Sequence, residues 1–146
     1  DIGRKLRITC IMVSHDPADT LAWADEIIVL KDGNVIQHGT PKQIYREPVN
    51  EYVAGLFGTY NLMTPGQQKI TGVKHPAGNR LVRPEEFRIR RSKISNRFHI
   101  DEVRFCGNLY ELKLTYRQLS VWLATTQDKY KVGDRVEISL TGSRKN

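Results

Sequence analysis

Residues 7–14, RITCIMVS, carry an apolar stretch without polar–apolar alternation. A strand buried on both faces looks like this, as in a parallel sheet covered by helices. The first 58 residues hold one strand of this type, too few to make a sheet. Alone, it would expose faces whose composition calls for burial. An orphaned edge of this kind is expected to be disordered, swapped or paired with another molecule. The segment therefore reads as the end of a larger α/β domain.

The residues that follow extend this reading. Asp16-Pro17 signals a helix start, because an aspartate accepts from free N–H groups and proline suits the first helical position. The helix should run to about Ala24. DEIIVLKDGNVIQHG then reads as a hairpin around Asp32-Gly33. Thr40-Pro41 repeats the capping device and opens a helix through about Arg46. Pro48 should begin another, with Val49, Tyr52, Val53, Leu56 and Phe57 on one face and Gly58 as its stop.

From about Thr59 the pattern changes. Tyr110, Leu112, Leu114 and Tyr116 alternate with Glu111, Lys113, Thr115 and Arg117; Val136, Ile138 and Leu140 alternate with Arg135, Glu137 and Ser139. These are half-buried antiparallel strands. LSVWLAT is a third, and Gly133-Asp134 marks a turn. The parity of Phe98 and Ile100 against Val103 and Phe105 predicts a β-bulge near Asp101-Glu102. Short strands at this spacing suggest a small barrel or sandwich. The charge shifts at the same place. Residues 1–58 hold 6 Lys and Arg against 8 Asp and Glu, while residues 59–146 hold 17 against 8. Two domains are expected, 1–58 and 59–146.

Cys10 and Cys106 lie too far apart for a metal-type spacing and predict neither a disulfide framework nor a zinc site; their usage fits a reducing cytoplasm. No apolar run approaches the roughly 20 residues of a membrane span, and the start DIGRKLRITC has no signal-peptide pattern.

The stretch IMVSHDPADTLAWADEIIVLKDGNVIQHGTPKQIYREPVNEYVAGLFG resembles the end of the nucleotide-binding domain of an ABC importer ATPase. His-Asp, a helix, Ala-Asp before an aliphatic run, Asp-Gly, Gly-Thr-Pro, Ile-Tyr and Pro-x-Asn recur there in this order. NLM, LVRPEEFRIR and VRFCGNLYELKL…KVGDRVEISL resemble the TOBE domain, a transport-associated OB fold, that follows it in many such subunits. The resemblance implies an α/β fragment, the tail of a P-loop ATPase domain, followed by an all-β OB-like small barrel.

It also implies a role for His15 as the switch-loop histidine, which reads the γ-phosphate of ATP. Ligands of open α/β sheets bind beyond the carboxyl ends of the parallel strands, where His15 falls. The Asp16 side chain keeps the simpler role of helix cap. His38, His75 and His99 read as surface or strand residues without partners at a useful spacing. The chain contains no G-x-x-x-x-G-K-[ST] loop, no aliphatic strand ending in Asp-Glu and no Ser-Gly-Gly signature. Its start falls in the link between that Asp-Glu strand and the switch strand. ATP and Mg2+ are thus expected as cofactors of the longer subunit and not of this fragment, and no metal site is expected in it. The implied partners are a second copy of the ATP-binding subunit, the membrane permease subunits and, indirectly, a solute-binding protein. The implied location is cytoplasmic, peripheral at the inner face of the cell membrane.

The basic excess in residues 59–146 concentrates in Arg83, Arg88, Arg90, Arg91, Lys93, Arg97 and Arg104. An alternative is an OB-type binding module for single-stranded nucleic acid or a small oxyanion. A strand binder stacks bases on aromatics in a basic groove, and only Trp122 is placed to do so. No Ser/Thr/Lys cluster with glycine can be assigned to an oxyanion. Nucleic acid is therefore not the expected partner; the resemblance implies a regulatory and dimerising domain instead. Arg83-Pro84-Glu85-Glu86 reads as a tight strand-ending turn and not as a catalytic carboxylate pair.

Overall fold

The structure, a computed structural model, describes residues 9–71, 80–91 and 98–141. The chain divides into two compact units, Asp1–Gly58 and Thr59–Asn146.

In the first unit the expected strand over 7–14 does not form within the described residues. Residues 9–14 have no regular structure, and Ile11 and Val13 are 95% and 96% exposed. A strand gains its hydrogen bonds only from a neighbour, and no neighbour is supplied here. Helix α1 (Pro17–Trp23) starts as expected: the Asp16 carboxylate accepts from the N–H of Ala18 at 2.8 Å and of Asp19 at 3.2 Å. Strands β1 (Ile27–Lys31) and β2 (Asn34–Gly39) make the hairpin. Asp32 at φ 50° and Gly33 at φ 76° supply the two positive φ angles of a type I′ turn.

Helix α2 (Pro41–Arg46) carries a full capping box between Thr40 and Gln43. Helix α3 (Glu51–Leu56) begins later than the sequence suggested, with Asn50 as its cap and not at Pro48. The cause is the Gln37 side chain, which donates to the Glu47 carbonyl and accepts from the Val49 N–H, both at 3.0 Å. It holds the link out of helical geometry. The buried face of α3 is correspondingly narrower, because Val49, Tyr52 and Leu56 are exposed while Val53, Ala54 and Phe57 are buried. Ile27, Val29, Ile44, Val53 and Phe57 form the small core.

In the second unit β3 (Asn61–Met63) pairs with β4 (Arg80–Val82), and helix α4 (Pro65–Thr71) follows β3. A 3-10 turn, Pro84–Glu86, leads into a five-stranded antiparallel sheet. Its strands are β5 (Phe87–Arg91), β6 (Phe98–Phe105), β7 (Tyr110–Tyr116), β8 (Leu119–Thr125) and β9 (Arg135–Leu140), in the spatial order β5-β9-β6-β7-β8. The register of β6 against β7 shifts between Ile100 and Glu102, which places the expected bulge at Asp101. The outer strands β5 and β8 approach each other without a ladder. The sheet is thus coiled into a small, partly open barrel of OB type. Phe98, Ile100, Leu112, Leu114, Val121, Leu123 and Val136 fill it.

Side chains close what the ladder leaves open. The buried Asn61 amide accepts from the Trp122 N–H and donates to the Trp122 carbonyl, both at 2.7 Å, which satisfies the free edge of β8. Tyr130, also buried, donates from its hydroxyl to the Ile89 carbonyl on β5 at 3.2 Å.

The loop before β9 is tied by Asp134. Its carboxylate accepts from the Lys131 N–H at 3.0 Å and from Arg91 at 2.9 Å. The Lys131 N–H first, and the Arg91 guanidinium second, hold the Asp134 carboxyl below its ordinary value. A depressed carboxyl adds stability above the unfolded-state pKa of about 3.9, and that stability is lost as pH falls through the folded value. Asp134→Asn should therefore lower the urea midpoint at pH 7, and the gap from the parent chain should narrow below about pH 4. A gap independent of pH would remove the charge from the explanation.

Candidate functional site

His15 lies at a bend immediately before the Asp16 cap of α1, and its side chain is exposed. The local backbone is fixed by short-range bonds. Ser14 Oγ accepts from the Asp16 N–H at 3.0 Å, and Thr20 Oγ1 donates to the Asp16 carbonyl at 2.7 Å. Asp16 is committed to capping, so its carboxylate serves the helix. The imidazole is left facing solvent at the point where the chain enters α1. An imidazole so placed can donate to an anionic oxygen or take a proton from an approaching water.

The other described histidines differ from expectation in one respect, since each has a carboxylate partner. His38 Nε2 lies 3.1 Å from Glu26 Oε2, and His99 Nε2 lies 3.1 Å from Asp101 Oδ1. Asp101 also accepts from Thr115 Oγ1, so the bulge residue bridges β6 and β7. The signal was the bulge itself, which turns an extra side chain toward its neighbours. His75, Lys93 and Arg97, like Arg7 and Ile8 of the expected first strand, lie outside the described residues. Among the described residues, no group of three His, Cys, Asp or Glu is placed to hold a metal ion. No described helix is long and apolar enough to cross a membrane.

Among the described basic residues of the second unit, Arg88 and Arg90 line one cavity with Thr125, Thr126 and Gln127, whereas Arg83, Arg91 and Arg104 are held by other partners. Arg83 is buried and donates to the Thr59 carbonyl at 3.2 Å. Arg91 binds Asp134 and the Lys129 carbonyl. The Arg104 guanidinium lies 4.3 Å from the centre of the Trp122 ring and donates to Glu102 at 2.6 Å; that hydrogen bond raises its pKa further. The Lys113 ammonium lies 5.9 Å from the same ring. Trp122, the one candidate for base stacking, is thus engaged by the protein's own cations. At the 83–86 turn, Glu86 accepts from the Arg83 N–H at 2.8 Å and pairs with Arg80 at 2.9 Å. Its carboxylate holds the turn together.

No protein-family model matches the chain. Among curated proteins it is 30% identical, over 148 aligned residues, to the spermidine/putrescine import ATP-binding protein PotA of Bacillus thuringiensis subsp. konkukian (strain 97-27). The alignment covers 94% of this chain and 42% of that protein. The PotA proteins of Bacillus thuringiensis (strain Al Hakam) and Bacillus cereus (strain ATCC 10987 / NRS 248) match with the same identity and coverage. The chain is a homologue of ABC importer ATP-binding subunits. It spans less than half the length of these curated relatives. The alignment takes in His15 and its helix together with the barrel, since it leaves out only 6% of the chain. A mostly β second unit following an α/β piece agrees with a C-terminal portion of such a subunit.

Proposed function

We propose that the chain is the C-terminal part of the ATP-binding subunit of a bacterial ABC importer. In this reading residues 1–58 end the nucleotide-binding domain, and residues 59–146 are a TOBE domain with a regulatory and dimerising role. The observation that carries it is the alignment over 94% of the chain with import ATP-binding proteins. The longer subunit would bind ATP and Mg2+, work as a pair at the inner face of the membrane, and drive a permease to alternate its access. The relatives named above import spermidine and putrescine by their names, and a polyamine is the first solute to test. The fragment, without a phosphate-cradling loop in its sequence, would neither bind ATP tightly nor hydrolyse it.

His15 would be the catalytic residue of this part. Phosphoryl transfer needs positioning and charge stabilisation more than covalent chemistry. An imidazole on the γ-phosphate would donate a hydrogen bond there and keep the attacking water in line. His15→Ala in the longer subunit should reduce ATP turnover by about 10²–10³-fold, the scale of losing one preorganised donor, with ATP affinity changed little. Steady-state hydrolysis and equilibrium nucleotide binding measure the two separately. Unchanged turnover would remove His15 from the mechanism.

A further inference from the structure

The seam of the barrel is tied at two points and open beyond them. Asn61 takes the free edge of β8 at Trp122, and the Tyr130 hydroxyl takes the Ile89 carbonyl of β5. Among the described strands no ladder joins β5 to β8, and a cavity of about 440 Å³ opens between them. Phe87, Ile89, Leu109 and Ala124 give it an apolar wall. Arg88 and Arg90 line it from β5, and Thr125, Thr126 and Gln127 line it from the end of β8. Glu85 stands at the end where β5 begins.

Arg88 and Arg90 alternate with inward-facing residues, so they leave β5 on one face, about 6.8 Å apart at the usual rise of a strand. Both are exposed, and among the described residues neither guanidinium closes an ion pair. Glu137, across the ladder from Arg90, does not line the cavity. Thr125 Oγ1 accepts from the Gln127 N–H at 3.2 Å, which leaves its proton to donate. Two cations with hydroxyl and amide donors suit a dianion with several oxygens, whereas a single guanidinium satisfies one carboxylate. The volume and the apolar wall call for an organic body behind that charge, since a bare tetrahedral anion would leave most of the space empty. An added peptide strand would need the backbone of β5. That edge is already spent, with the Ile89 carbonyl on Tyr130 and the Phe87 N–H on the Pro84 carbonyl.

We propose that this cavity binds an organic phosphate monoester. Its phosphate is held by Arg88 and Arg90 with the threonine hydroxyls, and its apolar body lies against Phe87, Ile89 and Leu109. The Glu85 carboxylate repels the phosphate and sets it toward Arg90. The site lies within residues 59–146, and its ligand is recognised without ATP hydrolysis, so it stands or falls apart from the transport reading.

The isotope-labelled 146-residue chain is titrated with phenyl phosphate, glycerol phosphate, benzoate and inorganic phosphate, and its amide shifts are followed. Phenyl phosphate should move the amides of Ile89, Thr126 and Gln127 in a saturable way. It should bind at least about tenfold more tightly than the other three, the scale of one further good contact. Arg88→Gln with Arg90→Gln should weaken it by about tenfold or more, the scale of lost charge-assisted hydrogen bonds, with the urea midpoint kept. Glu85→Gln should tighten it by about 2–5-fold, the scale of one exposed charge. Inorganic or glycerol phosphate binding as tightly would overturn the role of the apolar wall, and with it the proposal. Benzoate binding as tightly would overturn the phosphate assignment. Full affinity in the double arginine variant, or saturable shifts confined to other residues, would remove the site altogether.

Discussion

Phe98→Ala is expected to destabilise the barrel by about 3–5 kcal/mol, a range set by large-to-small changes of buried aromatics. Phe98 is 2% exposed and opens β6, where it pairs with Val136 of β9. Its ring lies against Tyr116 at 5.6 Å between centroids. The substitution removes ring contacts from both the β7 and β9 sides, and neither strand can close the space without breaking register. A small domain has only ~5–15 kcal/mol of stability in total, so the variant should unfold at low urea. Trp122 fluorescence in the 146-residue chain follows the transition. Phe98→Leu, which keeps most of the volume, should recover more than half of the loss. Equal losses for alanine and leucine would show that the vacated volume does not set the cost.

Asn61→Leu should cost about 2–6 kcal/mol, since two part-buried backbone groups of Trp122 lose their partners at ~1–3 kcal/mol each. Leucine has nearly the shape of asparagine and offers nothing to the N–H and carbonyl of Trp122. The amide also lies 3.4 Å from the Val82 carbonyl, so it ties β4 to β8 as well. Asn61→Asp makes a sharper test. An ionised carboxylate still accepts from the Trp122 N–H but repels the two carbonyls, whereas a protonated one can donate to one of them. The aspartate variant should therefore be least stable near neutrality and recover as pH falls toward about 4, with the recovery complete below that unfolded-state value. The urea midpoint of each variant at pH 7 and pH 3.5 measures this. A loss below about 0.5 kcal/mol for the leucine variant, the range of ordinary surface changes, would mean that the clamp contributes nothing.

Much of the fold was legible because its signals are local. Asp32-Gly33 forces a primed turn, alternation marks β7, β8 and β9, and a parity break locates the bulge at Asp101. Thr40 announced its helix through Thr-Pro-x-Gln. The same device recurs at Thr64-Pro65-Gly66-Gln67, where Thr64 and Gln67 exchange bonds at 3.0 and 3.4 Å, and sequence reasoning missed it. The signal was present; the apolar spacing that usually confirms a helix was not.

What stayed hidden depends on residues far apart in the chain. Nothing in NLM reveals that Asn61 will hold Trp122, 61 positions away. Arg83 counted toward a basic surface, yet it is buried against Thr59, because a long side chain can sink once a carbonyl is waiting. RITCIMVS reads as a strand lacking its sheet, and the irregular course of residues 9–14 agrees with the expectation for an orphaned edge. The role proposed for His15 rests on motif alone. Its surroundings here are those of an exposed bend.

The place of β9 has a consequence for synthesis. The last described strand is not at a border of the sheet but lies between β5 and β6, so neither half of the barrel is joined until it arrives. A ribosome-bound chain ending before residue 135 would hold the β6-β7-β8 meander and an unmatched β5, with the barrel interior open. The barrel should therefore close only after β9 leaves the exit tunnel. A nonsense mutation just before residue 135 should be as harmful to the barrel as one within β6 or β7.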